Sequence, residues 1–294
     1  MLPIVWCLRF SRQETTVHKS YVLLFVLLVW FAAPLAAQTK GTATFSGLKD
    51  LEFIKNYYNG GTGSMGSGPG KNFQLEFTTN AQAIVSGAKH GSGNFINNPG
   101  GSPVMFFGTG TNIVVNAIAG ISTGLWFSYS ALQPGTVTIY DGPNATGNIL
   151  ANIALTLNNS GCNTYKMCVW SPVGVPLTTN AGSIRFSGVA NYLGIGAIHL
   201  GVKIPTLVSL TSSHNPSVQG EAVTFTAAVS ATGAAPVGTV TFKTGTKVLG
   251  AVPVTGGVAA ITLSDLPVGS TTIRATFSGA GFATRSASVT QVVN

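Results

Sequence analysis

Groups able to do chemistry are few in this chain and widely spaced. Only 7% of its 294 residues are charged. Beyond position 37 the carboxylates are Asp50, Glu52, Glu76 and Asp141, followed by Glu221 and Asp265. Hydrolysis of a glycosidic bond needs two carboxyls across the scissile bond, about 5–10 Å apart. A pair for such work has to come from the first four acids, with Glu52 and Glu76 the available combination. Asp50 and Glu52 are two positions apart, so in extended backbone they share a face. That favours a shared cation over an acid and a base, and with Asp141 and loop carbonyls they would offer hard oxygen ligands to calcium. Calcium is therefore the one cofactor the acids allow. The structural alternative is that Asp50 caps a turn or short helix and Asp141 closes an Asx turn before Gly142. His90, His199 and His214 lack metal-ligand spacing, and no Gly-x-Ser-x-Gly elbow accompanies them. The Gly66-Ser67-Gly68-Pro69-Gly70 string has neither a following helix nor the Gly-Lys-Ser/Thr ending of a phosphate loop, which excludes nucleotide binding. No residue is assigned a catalytic role.

Aromatic and amide side chains offer the better route to a ligand. Sugars pack their C–H faces on aromatic rings while Asn, Gln and Ser hydrogen-bond their hydroxyls. Asn56, Tyr57, Tyr58 and Asn59 at the head of a long Gly-rich loop form a candidate saccharide platform, with Trp170 and Tyr192 as further candidates. A platform requires coplanar, solvent-facing rings; the alternative is that Tyr57 and Tyr58 pin the loop to the fold. Trp126 lies within a strand and belongs either to the core or to an outer face. Cys162 and Cys168, close together in an exported chain, are expected to form a disulfide closing a small loop, worth about 2 kcal/mol in the chain-entropy model. A zinc site is disfavoured, since no His neighbours them.

The elements that would hold these residues are strands. Apolar and polar residues alternate in Val223-Thr224-Phe225-Thr226, Gly238-Thr239-Val240-Thr241-Phe242 and Thr271-Thr272-Ile273-Arg274-Ala275, the period-two pattern of half-buried strands. Turn residues punctuate residues 204–294 at the roughly 8–12 residue spacing of an immunoglobulin-like sandwich. Residues 38–203 carry about nine strand-like runs and almost no helical periodicity, which predicts a jelly-roll-like β-sandwich. The fold class is thus all-β, with two sandwich domains in series. Residues 1–37 read as a signal peptide: Arg9, Arg12 and Lys19 precede the apolar run Tyr21 to Ala33, and Pro34-Leu35-Ala36-Ala37 leads to cleavage after Ala37. The run is shorter than the 18–20 residues of a spanning helix, so stable membrane insertion after cleavage is not expected. The formal charge of +8 becomes +6 once Arg9, Arg12, Lys19 and Glu14 leave with the leader. The remaining cations are scattered without a basic run or nucleic-acid motif, which excludes nucleic acid as a partner.

Two resemblances carry these readings further. Phe45-Ser46-Gly47-Leu48-Lys49-Asp50-Leu51-Glu52, Asn56-Tyr57-Tyr58-Asn59-Gly60-Gly61 and Gly66-Ser67-Gly68-Pro69-Gly70 resemble the opening of a family of exported bacterial β-sandwich proteins, often ending in a PEP-CTERM sorting tail and mostly of unassigned function. The sorting tail is absent here, so the family's sorting route is not carried over. The segment Val137-Thr138-Ile139-Tyr140-Asp141-Gly142-Pro143-Asn144 is similar to a strand and turn of CUB domains, whose aspartate helps hold calcium. Residues 204–294 resemble the group 3 bacterial Ig-like family through Thr211-Ser212-Ser213-His214-Asn215-Pro216-Ser217 and Gly238-Thr239-Val240-Thr241-Phe242. That resemblance implies a spacer or adhesion module without catalytic residues.

The sequence is thus read as a secreted or cell-surface, non-catalytic binding or adhesion protein recognising polysaccharide or cell-envelope polymer. A secreted carbohydrate-active enzyme is the first alternative and a structural matrix component the second.

Overall fold

The computed structural model describes residues 38–294, so the expected signal peptide and its cleavage point lie outside the described residues. Among the described residues no helix is long and apolar enough to cross a membrane.

Among the described residues eighteen strands build two sandwiches. The first contains β1 (Gly41–Ala43), β2 (Leu75–Phe77), β3 (Ala81–Ile84), β4 (Val104–Phe107), β5 (Asn112–Ile121), β6 (Gly124–Ala131), β7 (Gly135–Tyr140), β8 (Ile149–Leu155), β9 (Ser171–Pro176), β10 (Ala181–Ser187) and β11 (Leu193–Leu200). One sheet runs β3-β4-β11-β6-β9 with β1 added on β11, and the other runs β2-β5-β10-β7-β8. Consecutive strands from β4 to β7 alternate between the sheets, and β10 and β11 return between earlier strands. This is the order of a jelly roll, two Greek keys folded together. Side-chain alternation fixes which face is inside. On β6, Leu125, Phe127, Tyr129 and Ala131 enter the core shared with Ile113, Val115, Ile139, Ile184 and Phe186. Trp126, Ser128 and Ser130 therefore lie on the opposite, outer face of the six-stranded sheet.

The second sandwich contains β12 (Thr206–Ser212), β13 (Val223–Ala231), β14 (Thr239–Thr244), β15 (Lys247–Pro253), β16 (Val258–Leu263), β17 (Gly269–Ser278) and β18 (Arg285–Val293). Sheets β12-β13-β16 and β15-β14-β17-β18 face each other over Phe225, Phe242, Ile273 and Phe277. All ladders in both sandwiches are antiparallel.

The two cores adjoin closely. Fully buried Ile204 belongs to the second core, and Trp126 of β6 packs against that core from outside. The Gly174 N–H donates to the Gly233 carbonyl at 2.9 Å, and the Ile204 N–H to the Gly281 carbonyl at 2.8 Å. A side chain at Gly174 would strike the Thr232 carbonyl and Ile204, so the absence of Cβ lets the two backbones approach.

Candidate functional site

The Gly-rich loop is not a platform. Tyr57 and Tyr58 are buried, at 6% and 3% exposure, and belong to the main core of the first sandwich. Their rings meet edge to face, 4.9 Å between centroids and 87° apart. The Tyr57 hydroxyl donates to the Ser46 carbonyl at 2.8 Å, while that of Tyr58 accepts from the Phe45 N–H at 2.6 Å. Burial pushes both phenols above their ordinary range, Tyr57 with a second contribution from the charge of Glu52. The glycines follow from this packing. A Cβ at Gly47, Gly68 or Gly70 would run into the Tyr57 side chain, so the loop is Gly-rich because it wraps a ring at closest approach. Asn56 is exposed, and Asn59 donates to Glu76 Oε1 at 3.3 Å.

The calcium reading fails for a related reason. Glu52 is completely buried, and its carboxylate accepts the N–H groups of Lys49 (2.8 Å), Met65 (2.9 Å) and Ser67 (3.1 Å). Burial alone would raise its pKa, but the donors from Lys49, Ser67 and Met65 outweigh it and hold the carboxyl below the usual range. Asp50 accepts from the Val85 N–H at 2.8 Å, the Ser92 N–H at 2.9 Å and the Ser92 hydroxyl at 2.6 Å. Asp141 accepts the side-chain and backbone N–H of Asn148, both at 2.7 Å, and those bonds lower its pKa. Each carboxylate holds a separate loop through its own donors, and the three are not brought together around one position. Among the described residues no group of three or more His, Cys, Asp or Glu converges on a metal position.

A cleft with mixed apolar and polar lining lies instead on the outer face of the six-stranded sheet. Cys162 and Cys168 form the expected disulfide, and the Cys168 N–H points at Cys162 Sγ, 3.0 Å away. The closed loop is tied to residues 94–96 by a parallel bridge between Phe95 and Met167. The Met167 N–H donates to the Asn94 carbonyl at 3.1 Å, the Ile96 N–H to the Met167 carbonyl at 3.0 Å, and the Lys166 N–H to Asn94 Oδ1 at 2.9 Å. Trp170 donates its indole N–H to the Ile96 carbonyl at 2.8 Å and sets its ring edge to face with Phe95, 5.8 Å between centroids. Gly194, on the sheet below, leaves room for Trp170 and Met167. Asp50, through Val85 and Ser92, anchors the base of the same roof.

Beneath this roof is a cleft of about 420 Å³, within the size range of small-ligand sites. Val104 and Phe106 of β4, Phe95, Leu132 and Met167 supply its apolar lining, and Asn94, Lys166, Asn191 and Tyr192 its polar groups. Of the six residues expected to bind, the structure brings Tyr192 to this cleft, 42% exposed, with half-buried Trp170 bracing its roof. Asn56, Tyr57, Tyr58 and Asn59 lie elsewhere, on the loop described above. No carboxylate lines the cleft. Further along the same face, Trp126 stacks on His199 at 3.6 Å and 8°, and His199 Nδ1 meets Thr42 Oγ1 at 3.0 Å. Burial lowers the pKa of His199.

Sequence reading missed Asn94, Phe95, Phe106, Lys166 and Asn191. One signal was present: Val104-Met105-Phe106-Phe107 is apolar at every position. An uninterrupted apolar strand is covered on both faces, so something had to roof the outer one.

Fold and cleft define an all-β protein of two joined sandwiches with a roofed cleft on the first. Residues 210–294 match the bacterial Ig-like domain (group 3) family. No curated protein matches the chain. Among solved structures, the chain is similar to the glycoside hydrolase domain of Endo-D from Streptococcus pneumoniae R6 at 12% identity and TM-score 0.31, covering 87% of this chain and 44% of that one. It is similar to a Ruminococcus gnavus beta-glucuronidase at 11% identity and TM-score 0.24, covering 74% and 44%. The N-terminal domain of the Streptococcus gordonii adhesin Sgo0707 is similar at 10% identity and TM-score 0.23, over 66% of this chain and 62% of that one. The chain thus spans less than half of the first structure's length, and likenesses this distant carry no argument about activity.

Proposed function

We propose that this is an exported, non-catalytic binding protein whose first sandwich holds a glycan of polysaccharide or cell-envelope origin in the cleft under the disulfide loop. The observation that carries the reading is the lining itself: aromatic and apolar walls with amides, a lysine and a phenol, and no carboxylate. Aromatic walls receive the C–H face of a sugar and amides receive its hydroxyls. Hydrolysis by the usual route would need two carboxyls flanking the bond. Glu52 is sealed by backbone donors and Glu76 sits on β2 of the other sheet, so neither supports turnover there.

Export is supported by the charged and apolar layout of residues 1–37, by the disulfide, which persists in oxidising compartments, and by the Ig-like match. The domains are taken as 38–203 and 204–294, with the second presenting the first.

The test is an array of uncharged polysaccharides scored for both retention and released sugar. Retention without release, weakened about tenfold by Tyr192→Ala and unaffected by chelator, is the expected result; that loss is what an interface aromatic typically contributes. Released sugar, or retention indifferent to Tyr192→Ala, overturns the assignment to this cleft.

A further inference from the structure

The two sheets of the second sandwich differ sharply in charge. Strands β12, β13 and β16 contain no charged residue at all. Strands β14, β15, β17 and β18 carry Lys243, Lys247, Arg274 and Arg285 and no acid. Glu221 and Asp265 lie outside all these strands.

Register places two of the cations side by side. Lys243 pairs directly with Arg274, and both are exposed. Val240 and Phe242 of β14, and Ile273, Ala275 and Phe277 of β17, point into the core, so Lys243 and Arg274 share the outer face. Like charges directly opposite on adjacent strands are destabilising. The fold therefore keeps a pair that its own stability does not favour. The outward positions beside them on β14, β17 and β18 are mostly hydroxyl, while β15 adds Val248, Ala251 and Pro253 at the edge of the face. Thr241, Thr276 and Ser286 form one cross-strand row, Thr239 and Ser278 another, and Thr272 and Thr290 a third, while Ser288 completes the row of the two cations. Arg274 Nη2 donates to Ser286 Oγ at 2.8 Å, which lays the guanidinium over the hydroxyl row.

We propose that this face is a second binding surface, taking a carboxylated polysaccharide. The side-by-side cations meet carboxylates and the hydroxyl rows meet sugar hydroxyls. These rows repeat about every 4.8 Å across the strands and about 6.7 Å along them. A regular array of this kind suits a linear polymer lying across it. Nucleic acid is a poorer fit, because the outward positions of β14, β17 and β18 hold no aromatic ring on which bases could stack. The surface is independent of the cleft in the first sandwich.

The experiment is affinity electrophoresis of the purified protein through gels containing polygalacturonate, its fully methyl-esterified form, or DNA. The double variant Lys243→Thr with Arg274→Thr, the charge-keeping Arg274→Lys and the cleft variant Tyr192→Ala run alongside. Polygalacturonate should retard the wild-type protein, and the ester and DNA should not. The double variant should lose about fivefold to tenfold of that affinity, the loss expected for two exposed ion pairs. Arg274→Lys and Tyr192→Ala should keep it, and the double variant should melt no lower than wild type. Equal retardation of double variant and wild type, equal retention by the ester, retention by DNA, or a loss confined to Tyr192→Ala each overturns the proposal.

Discussion

Two irregular segments cover the first sandwich, and they use aromatic residues in opposite ways. Around residues 45–74 the chain folds inward: Tyr57 and Tyr58 enter the core, glycines close over the Tyr57 ring, and Glu52 collects the loop's N–H groups. Over the outer face of the six-stranded sheet, a disulfide-closed loop and residues 94–96 hold each other off the strands and leave a cleft. Glycine decides the first outcome, because without Cβ the backbone can seal a ring completely. Cross-linking decides the second, because a loop closed on itself and bridged to its neighbour keeps its distance from the sheet. The same residue types, Tyr, Asn and Gly, thus serve packing in one place and line a cavity in the other.

The largest expected effect tests the sealed segment. Tyr58→Ala removes a buried ring with a bonded hydroxyl and should cost about 3–5 kcal/mol, seen as a lower denaturant midpoint. A loss below about 1 kcal/mol, the size of an ordinary surface change, would mean that the ring is not core. Next, replacing Cys162 and Cys168 by Ser should cost about 2 kcal/mol from loop closure and abolish glycan retention at the cleft. Stability lost with binding intact would show that the roof does not need its cross-link. Tyr192→Ala should leave stability within about 0.5 kcal/mol while weakening retention, the inverse of Tyr58→Ala. If both variants moved stability alike, the contrast between the segments would fail.

The smallest effect is on pH dependence. The folded pKa of His199 lies below its ordinary 6.5, so its neutral native form binds fewer protons than the unfolded chain. Its contribution is full above pH 6.5 and falls away as pH drops toward the folded value. Glu52, depressed below 4.5, contributes above that value and loses its contribution at lower pH. Melting temperature should therefore decline below pH 6.5 and decline further below 4.5. His199→Phe should remove the first decline and leave the second.

The fold was legible because its signal is local. Alternation in Val223–Val229 and Thr239–Phe242 follows from side chains pointing to opposite faces of a strand, and both stretches form the strands it implies. The disulfide was legible from spacing and compartment. The cleft was not, because it depends on loops meeting far along the chain: Lys166 and Asn94 bond across 72 positions, and no periodicity encodes that pairing. Tyr57 and Tyr58 misled for a physical reason. Flanking Gly and Asn signal a turn, and a turn around a ring has the same composition as a turn exposed to solvent.

The junction between the sandwiches has a consequence for avidity. Val202 donates to the Gly124 carbonyl at 3.2 Å, Ile204 to that of Gly281 at 2.8 Å, and Ala283 to that of Ile204 at 2.9 Å. This connection is pinned on both sides and offers little slack. A flexible tether would let two surfaces find any pair of sites within reach, at an effective concentration set by its length. A pinned one gives a high effective concentration for polymers whose curvature matches the fixed spacing and almost none for the rest. With both proposed surfaces occupied by one polymer, the pinned junction would favour chains whose shape matches that spacing.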